Sequence, residues 1–153
     1  MSRRVDRRHV FCLTFQLGFL TDAKTDAIFD SYVENHMDEP DDSQAEKAFI
    51  LKAFSGVYEN LEKIDATISR ALKSWTFDRL NKADIALLRL GIYEMMYDNE
   101  IPASVAINEA VELAKIYCDD NAPASINAIL GQILRGEDAD KATTDAPSED
   151  EKS

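Results

Sequence analysis

The chain has 153 residues and a formal net charge of −12 at pH 7. Its 45% hydrophobic content is enough for a sizeable core at this length and predicts a single domain. Only five glycines and four prolines are present, which argues against a turn-rich β-sandwich or barrel. So negative a charge also excludes a protein that coats nucleic acid with its whole surface, although a local basic patch is still compatible with it.

The two cysteines and two histidines form no metal or disulfide framework. Cys12 and Cys118 lie far apart, and their spacing from His9 and His36 matches no zinc site. Neither cysteine has a histidine in the spacing of a catalytic pair, and the sequence contains no glycine-rich phosphate loop. We therefore expect no catalysis, no cofactor and no metal ion.

The first twenty residues contain four arginines followed by an apolar stretch, as signal peptides do. Thr14 and Gln16 interrupt that stretch, and no small-residue cleavage site follows Leu20. No other run approaches the roughly 20 apolar residues of a membrane span. We expect a cytoplasmic protein without a membrane segment.

Apolar residues recur at helical spacing between short polar connections, and this pattern predicts an all-α fold of about seven helices. Ser43 and Glu46 form a capping-box pattern, and Pro102 suits a first helical position. The predicted helices cover about residues 2–19, 25–37, 43–56, 60–74 and 82–97, then a sixth after Pro102 and a seventh from about residue 123 to Gly136.

The end of the chain differs in composition from the rest. Residues 136–153 contain seven acids, two lysines and no apolar residue larger than alanine, so they carry −5 of the total charge. Such a segment cannot bury enough apolar surface to order itself. We expect a helical domain over residues 1–135 and an acidic disordered tail over residues 136–153.

The first predicted helix separates charge from apolar surface. On a helical wheel its four arginines fall within roughly 140° of each other, and two phenylalanines continue the same side one and two turns later. Guanidinium groups bind phosphate in bidentate fashion, and both arginine and phenylalanine planes stack on unpaired bases. The candidate RNA-binding residues are Arg3, Arg4, Arg7, Arg8, Phe11 and Phe15. A solvated start and a central helix with buried phenylalanines would give the same pattern.

The later helices contain apolar stripes and several polar residues that we expect to be structural. Arg89 stands five residues after Asp84, which is not a helical pair spacing, so we expect its partner on another helix. Asn108, Glu109 and Asn127 are expected to hydrogen-bond to helix ends or loops. The inward stripe of the sixth helix is predicted to consist of Val105, Ala106, Ala110, Leu113, Ala114 and Tyr117.

Three segments of the second half are specific in order and spacing. They are WTFDRL at residues 75–80, DIALLRLGIYEM at 84–95 and IPASVAINEAVELAK at 101–115. Together with the arginine-rich start and the pair Ile64-Asp65, they closely resemble the NusB family of transcription antitermination factors over about residues 3–134.

The resemblance implies two three-helix bundles plus a further helix, packed around shared helices. It also implies binding of the single-stranded boxA element of ribosomal RNA transcripts, jointly with NusE, a small-subunit ribosomal protein. The complex would assist RNA polymerase in reading through terminators. On this basis Arg3, Arg4, Arg7 and Arg8 contact RNA, and the acidic middle and late helices attract the basic partner protein.

The sequence departs from the family pattern at three positions. Ile85 replaces a residue that is usually basic, and Ser125 and Ala128 stand where the family commonly has phenylalanine and glycine. Two alternatives stay open. One is the module that opens an RNA methyltransferase family, whose catalytic domain has no counterpart here; the other is a non-catalytic helical protein–protein adaptor without RNA binding. The choice between monomer and homodimer is also open.

Overall fold

In the computed structural model, residues 3–17, 25–37, 46–72 and 80–144 are described. They form seven helices and contain no β-strand, which confirms the predicted fold class. Ser2, Ser43 and residues 73–79, including Trp75, lie outside the described ranges. The helices are α1 (Arg3–Gln16), α2 (Thr25–His36), α3 (Lys47–Glu59), α4 (Leu61–Leu72), α5 (Lys82–Met96), α6 (Ala103–Tyr117) and α7 (Ala122–Thr144).

Helix α5 joins two groups of helices. Helices α1, α2 and α3 pack on one another, and α4, α6 and α7 form the other group, in which α7 contacts both α4 and α6. Helix α5 contacts α1 and α3 on one side and α4, α6 and α7 on the other. Eight of its fifteen residues are buried, because a helix between two groups is covered on opposite faces. The predicted arrangement of two three-helix bundles plus a further helix is therefore confirmed, with α5 as the helix that packs on both.

Two close helix approaches depend on glycine. A Cβ atom at Gly56 on α3 would overlap the ring of Tyr93 on α5. At Gly91 on α5, a Cβ atom would lie 2.8 Å from a methyl carbon of Leu130 on α7. The missing side chains let α5 approach α3 and α7 closely, and this fixes α5 between the two groups.

The start of α3 is capped by a residue of another helix. The buried Asp6 on α1 accepts a hydrogen bond from the backbone N–H of Glu46 at 3.0 Å. Glu46 precedes the first residue of α3 and forms no cap with its own side chain. Helix α3 thus begins at Lys47, later than the capping-box pattern predicts, because Asp6 supplies the acceptor there.

Other helix ends differ less from the predictions. Asn81 caps α5 by accepting from the N–H of Asp84 at 2.8 Å. Pro102 occupies the position before α6 instead of its first turn, with an extended ψ of 144°. Helix α7 continues through Gly136 to Thr144, eight residues beyond the predicted end. One glycine in a helix interior costs only about 1 kcal/mol, so it does not by itself terminate a helix. Residues 145–153 lie outside the described ranges.

None of the helices in the described ranges is both long and apolar enough to traverse a lipid bilayer. The same part of the chain brings together no group of three or more histidine, cysteine, aspartate or glutamate side chains suited to a metal ion.

Candidate RNA interface

Arg3 links the start of α1 to the start of α3 through hydrogen bonds and a cation–π contact. Its Nη1 donates to Asp6 Oδ2 at 3.0 Å and to Glu46 Oε1 at 2.6 Å. Its guanidinium also lies 4.0 Å from the ring centroid of Phe49, in a cation–π contact. The side chain stays 45% exposed, so Arg3 holds two helices together and still faces solvent.

Arg4 forms a two-bond pair with Glu109 on α6. Its Nε and Nη2 donate to Oε1 and Oε2 of Glu109 at 2.9 and 2.7 Å. The Arg4 side chain is 52% exposed, whereas that of Glu109 is 13% exposed. The hydrogen bonds from Arg4 hold the pKa of Glu109 below its ordinary value, so this carboxylate is charged at neutral pH. Glu109 thus hydrogen-bonds to a side chain in the first turn of α1.

Arg7 is an interior residue. Its Nε donates to both carboxylate oxygens of Glu94 on α5, at 3.0 and 2.8 Å, and its Nη1 lies 3.8 Å from Glu109 Oε1. The Arg7 side chain is only 7% exposed. This placement disfavours direct RNA contact at Arg7, because the guanidinium already binds carboxylates inside the protein and has almost no accessible surface.

Burial dominates the behaviour of Glu94. Desolvation raises the pKa of this carboxyl from 4.5 to about 7, against the attraction and hydrogen bonds of Arg7. The negative charges of Asp98 and Glu109 act in the same direction as burial. Glu94, Arg7, Glu109 and Arg4 form a chain of alternating carboxyl and guanidinium groups that runs from the core to the surface.

Arg8 and Phe15 border an open groove of about 710 Å³. Both side chains are half-buried, and the groove lies where α1 meets α2, α5 and α6. The lining is mainly aromatic and apolar, with basic groups among it. The lining residues are Arg8, His9, Phe11, Cys12, Phe15, Gln16, Tyr32, His36, Ala83 and Tyr117.

Phe11 forms part of the wall of this groove from a buried position. It is 5% exposed, and its ring centroid lies 5.1 Å from that of Tyr117 and 6.4 Å from that of Phe15. Phe11 on α1 thus belongs to the hydrophobic core, in keeping with the alternative of buried phenylalanines that the sequence left open. Phe15 is the more accessible of the two candidate rings.

Tyr117 is a groove residue that the sequence pattern assigned to the core. It ends α6 and is 40% exposed, and Val105 near the start of the same helix is 41% exposed. Both belong to the predicted inward stripe, so that prediction is wrong at these two positions, which stand near the two ends of α6. No pattern in the sequence indicates that Tyr117 lines a groove. The aromatic residues on α1 suggest that Phe11 contacts another ring, but they do not indicate that this ring belongs to α6.

His9 and His36 both contact Tyr32, another residue that lines the groove. His9 is 3% exposed, and its Nδ1 lies 2.7 Å from the hydroxyl oxygen of Tyr32. The ring of His36 packs on that of Tyr32 with centroids 5.1 Å apart.

Beyond the groove, Arg89 pairs with Asp65 on α4 through two hydrogen bonds of 2.8 Å, so its predicted partner on another helix is confirmed.

An all-α chain that presents arginines beside an open aromatic groove is a helical protein with a candidate nucleic-acid-binding face. Its sequence matches the profile of the NusB family over residues 4–135, and the chain belongs to this family. The transcription antitermination protein NusB of Acetivibrio thermocellus is 39% identical over 88% of this chain and 90% of its own length. The protein of that name from Clostridium tetani is 45% identical over 67% of this chain and 68% of its own length.

Solved structures agree with this assignment. NusB of T. maritima superposes with a TM-score of 0.75 at 33% identity, covering 88% of this chain and 92% of the other. A crystal structure of the antitermination factors NusB and NusE in complex with dsRNA superposes with a TM-score of 0.72 over 88% of this chain and 96% of the matched chain. At 20% identity, the second structure shares the fold.

Proposed function

We propose that this chain is a transcription antitermination factor that binds boxA-type RNA of nascent ribosomal RNA transcripts together with NusE. The bound pair joins the RNA polymerase complex and promotes reading through terminators. The curated relatives carry the name transcription antitermination protein, and one solved structure of this fold holds NusB, NusE and RNA. In this proposal the protein acts by binding RNA and NusE and catalyses no reaction.

The observation that carries RNA binding is the juxtaposition of exposed guanidinium groups with an aromatic groove. Arg4 is 52% exposed on α1, and Arg8 follows one turn later at the border of the groove. Arginine can bind phosphate through two parallel N–H donors, and single-stranded RNA has unstacked bases that stack on rings such as Phe15 and Tyr117. Backbone and base recognition then share one face.

The four arginines take different roles in this proposal. Arg4 and Arg8 contact phosphate directly, and Arg3 contacts it from the edge of the same face while holding α3. Arg7 acts as a positioning residue, because it fixes α1 against α5 through Glu94. Phe15 stacks on a base, and Phe11 supports Tyr117 from below.

The test measures binding of labelled boxA-type RNA by fluorescence anisotropy, with and without NusE, over a range of salt concentrations. Arg4→Ala and Arg8→Ala should each weaken binding and flatten its salt dependence, because each removes one phosphate contact. Arg70→Ala is the matched control, since it removes the same charge from an exposed position on α4. Equal losses in all three variants would contradict an RNA site on α1.

One observation favours the adaptor as the second candidate. Arg3, Arg4 and Arg7 all pair with carboxylates of the protein, so these arginines have a structural use that requires no RNA. A helical adaptor would bind NusE but show no RNA affinity with or without it. The same titrations, read with NusE alone and with RNA alone, separate the two functions.

A further inference from the structure

Glu109 binds Arg4 in the manner that an RNA phosphate would use. A phosphate group recognises arginine through two parallel N–H donors on one edge of the guanidinium. In this structure the Nε and Nη2 edge of Arg4 already donates to the two oxygens of Glu109, at 2.9 and 2.7 Å. A phosphate and Glu109 cannot both occupy that edge.

The surroundings of Glu109 allow the exchange to occur without leaving a bare buried charge. The Glu109 carboxylate is 13% exposed and lies 3.8 Å from Nη1 of Arg7. If Arg4 turns outward toward a ligand, Arg7 still faces Glu109 from the protein interior. A carboxylate that loses every cation would be strongly destabilised, and Arg7 prevents this.

The two side chains also differ in exposure and in the contacts that hold them. Arg4 is 52% exposed and reaches solvent on a long stem, whereas Glu109 is held on α6 between two arginines. The arginine is therefore the member of the pair that can move. Its release replaces one ion pair by another, so its net contribution to RNA affinity is smaller than that of an unpaired arginine.

We propose that Glu109 is a built-in competitor of RNA phosphate for Arg4, and that it thereby limits the affinity of α1 for polyanions. This inference rests on the proposed function, because it assumes that RNA reaches Arg4. Phosphodiesters that also fill the adjoining groove overcome the competition. Polyanions that offer charge alone do not.

The test compares Glu109→Gln with the wild type in RNA anisotropy titrations across salt concentrations. The glutamine removes the charge and keeps the shape, so RNA affinity should rise several-fold. The salt dependence should steepen by up to about 0.7 in log–log slope, the value for one phosphate contact on a single strand. Heparin, a polyanion without bases, should gain at least as much affinity as RNA.

Glu112→Gln is the matched control. Glu112 lies three residues further along α6, attracts Arg4 through space and accepts a hydrogen bond from Nζ of Lys115 at 2.9 Å. Glu112→Gln removes the same charge but leaves the hydrogen bonds between Arg4 and Glu109 in place, so its effect on RNA affinity should be clearly smaller. An equal gain would mean that net charge alone matters, and it would overturn the competition.

A second arm repeats the change in an Arg4→Ala background. There Glu109→Gln should leave RNA affinity unchanged within twofold, because the Arg4 guanidinium that it would release is absent. A persistent gain would overturn the proposal, and so would weaker binding of the single Glu109→Gln variant, which would make Glu109 a residue that orients Arg4 for RNA.

Two further readouts keep the outcome decisive. If Glu109→Gln unfolds, Glu109→Asp retains the charge but shortens the reach, and its RNA affinity should lie above that of the wild type. RNA binding by the wild type with no response to either substitution overturns the competition and leaves the proposed function intact. Absence of RNA binding by the wild type and every folded variant, with NusE present, overturns both.

Discussion

Nε of Arg7 on α1 donates to both carboxylate oxygens of Glu94 on α5, at 3.0 and 2.8 Å, with both side chains buried. The pair joins the helix that carries the candidate RNA residues to the helix that joins the two groups. Removal of one partner leaves a buried charge without compensation, which typically costs several kcal/mol. The position of α1 on the rest of the fold depends on this contact.

Arg7→Leu should therefore lower the free energy of unfolding by about 3 kcal/mol at pH 7.5, because the buried Glu94 carboxyl loses the cation that hydrogen-bonds to it. Urea denaturation followed by circular dichroism measures the change. The double variant Arg7→Leu with Glu94→Leu should recover part of the loss, because no charge then stays buried alone. A change below about 0.5 kcal/mol for Arg7→Leu would show that the pair contributes little.

Stability should also depend on pH through Glu94. Burial raises the pKa of its carboxyl to about 7 in the folded protein, from an ordinary value of 4.5. Between these two values the folded state holds more protons than the unfolded state, so the free energy of unfolding falls as pH rises through this window. At 1.36 kcal/mol per pKa unit, the fall attributable to Glu94 is at most about 3 kcal/mol.

Glu94→Gln isolates this effect, because glutamine keeps the shape and does not titrate. We expect the difference in unfolding free energy between wild type and variant to change by about 1 to 3 kcal/mol from pH 4.5 to pH 7.5, with the wild type losing relative stability as pH rises. Urea unfolding at four pH values provides the measurement. Parallel curves for the two proteins would contradict the raised pKa.

Gly56→Ala should destabilise the protein by about 2 kcal/mol, because the new Cβ would overlap the Tyr93 ring. Gly131→Ala is the matched control: its Cβ would meet only the end of Arg135, at 3.2 Å. The control should be neutral or stabilising by up to about 1 kcal/mol, since alanine is the better helix former. Thermal and urea unfolding of both variants test the difference, and equal behaviour would contradict a tight approach at α3.

Phe15 and Phe11 should separate binding from stability. Phe15→Ala should weaken binding of boxA-type RNA by roughly tenfold, in keeping with the ~1–3 kcal/mol of one base stack, and leave most of the stability intact. Phe11→Ala removes a ring that is 5% exposed and should cost about 3 kcal/mol in unfolding free energy. Anisotropy titrations and urea denaturation of both variants give the comparison. RNA affinity unaffected by Phe15→Ala would remove that ring from the interface.

The helices were predictable because their signals are local. The stripe Leu61, Ile64, Ile68 and Leu72 predicts α4, and three of these residues are buried there. The end of α7 could not be predicted from Gly136, since a single glycine weakens a helix without stopping it.

The partners of the α1 arginines could not be read from sequence spacing. Glu94 and Glu109 lie 87 and 105 positions from Arg7 and Arg4, and only the packing of α5 and α6 on α1 brings them together. A helical wheel places all four arginines on one side, yet it contains no information on which part of that side another helix covers. This is why Arg7 is buried while Arg4 reaches solvent.

The hydrogen bond from the Glu46 N–H to Asp6 has a consequence for the order of folding. The first turn of α3 obtains its cap from a residue 40 positions earlier, so that turn is completed only after α1 has docked. Local helix formation in α3 can begin independently, but its start frays until the long-range contact closes. In a folding experiment, Asp6→Ala should speed unfolding of the α1–α3 contact and expose the first amides of α3 to hydrogen exchange, well ahead of those in α4.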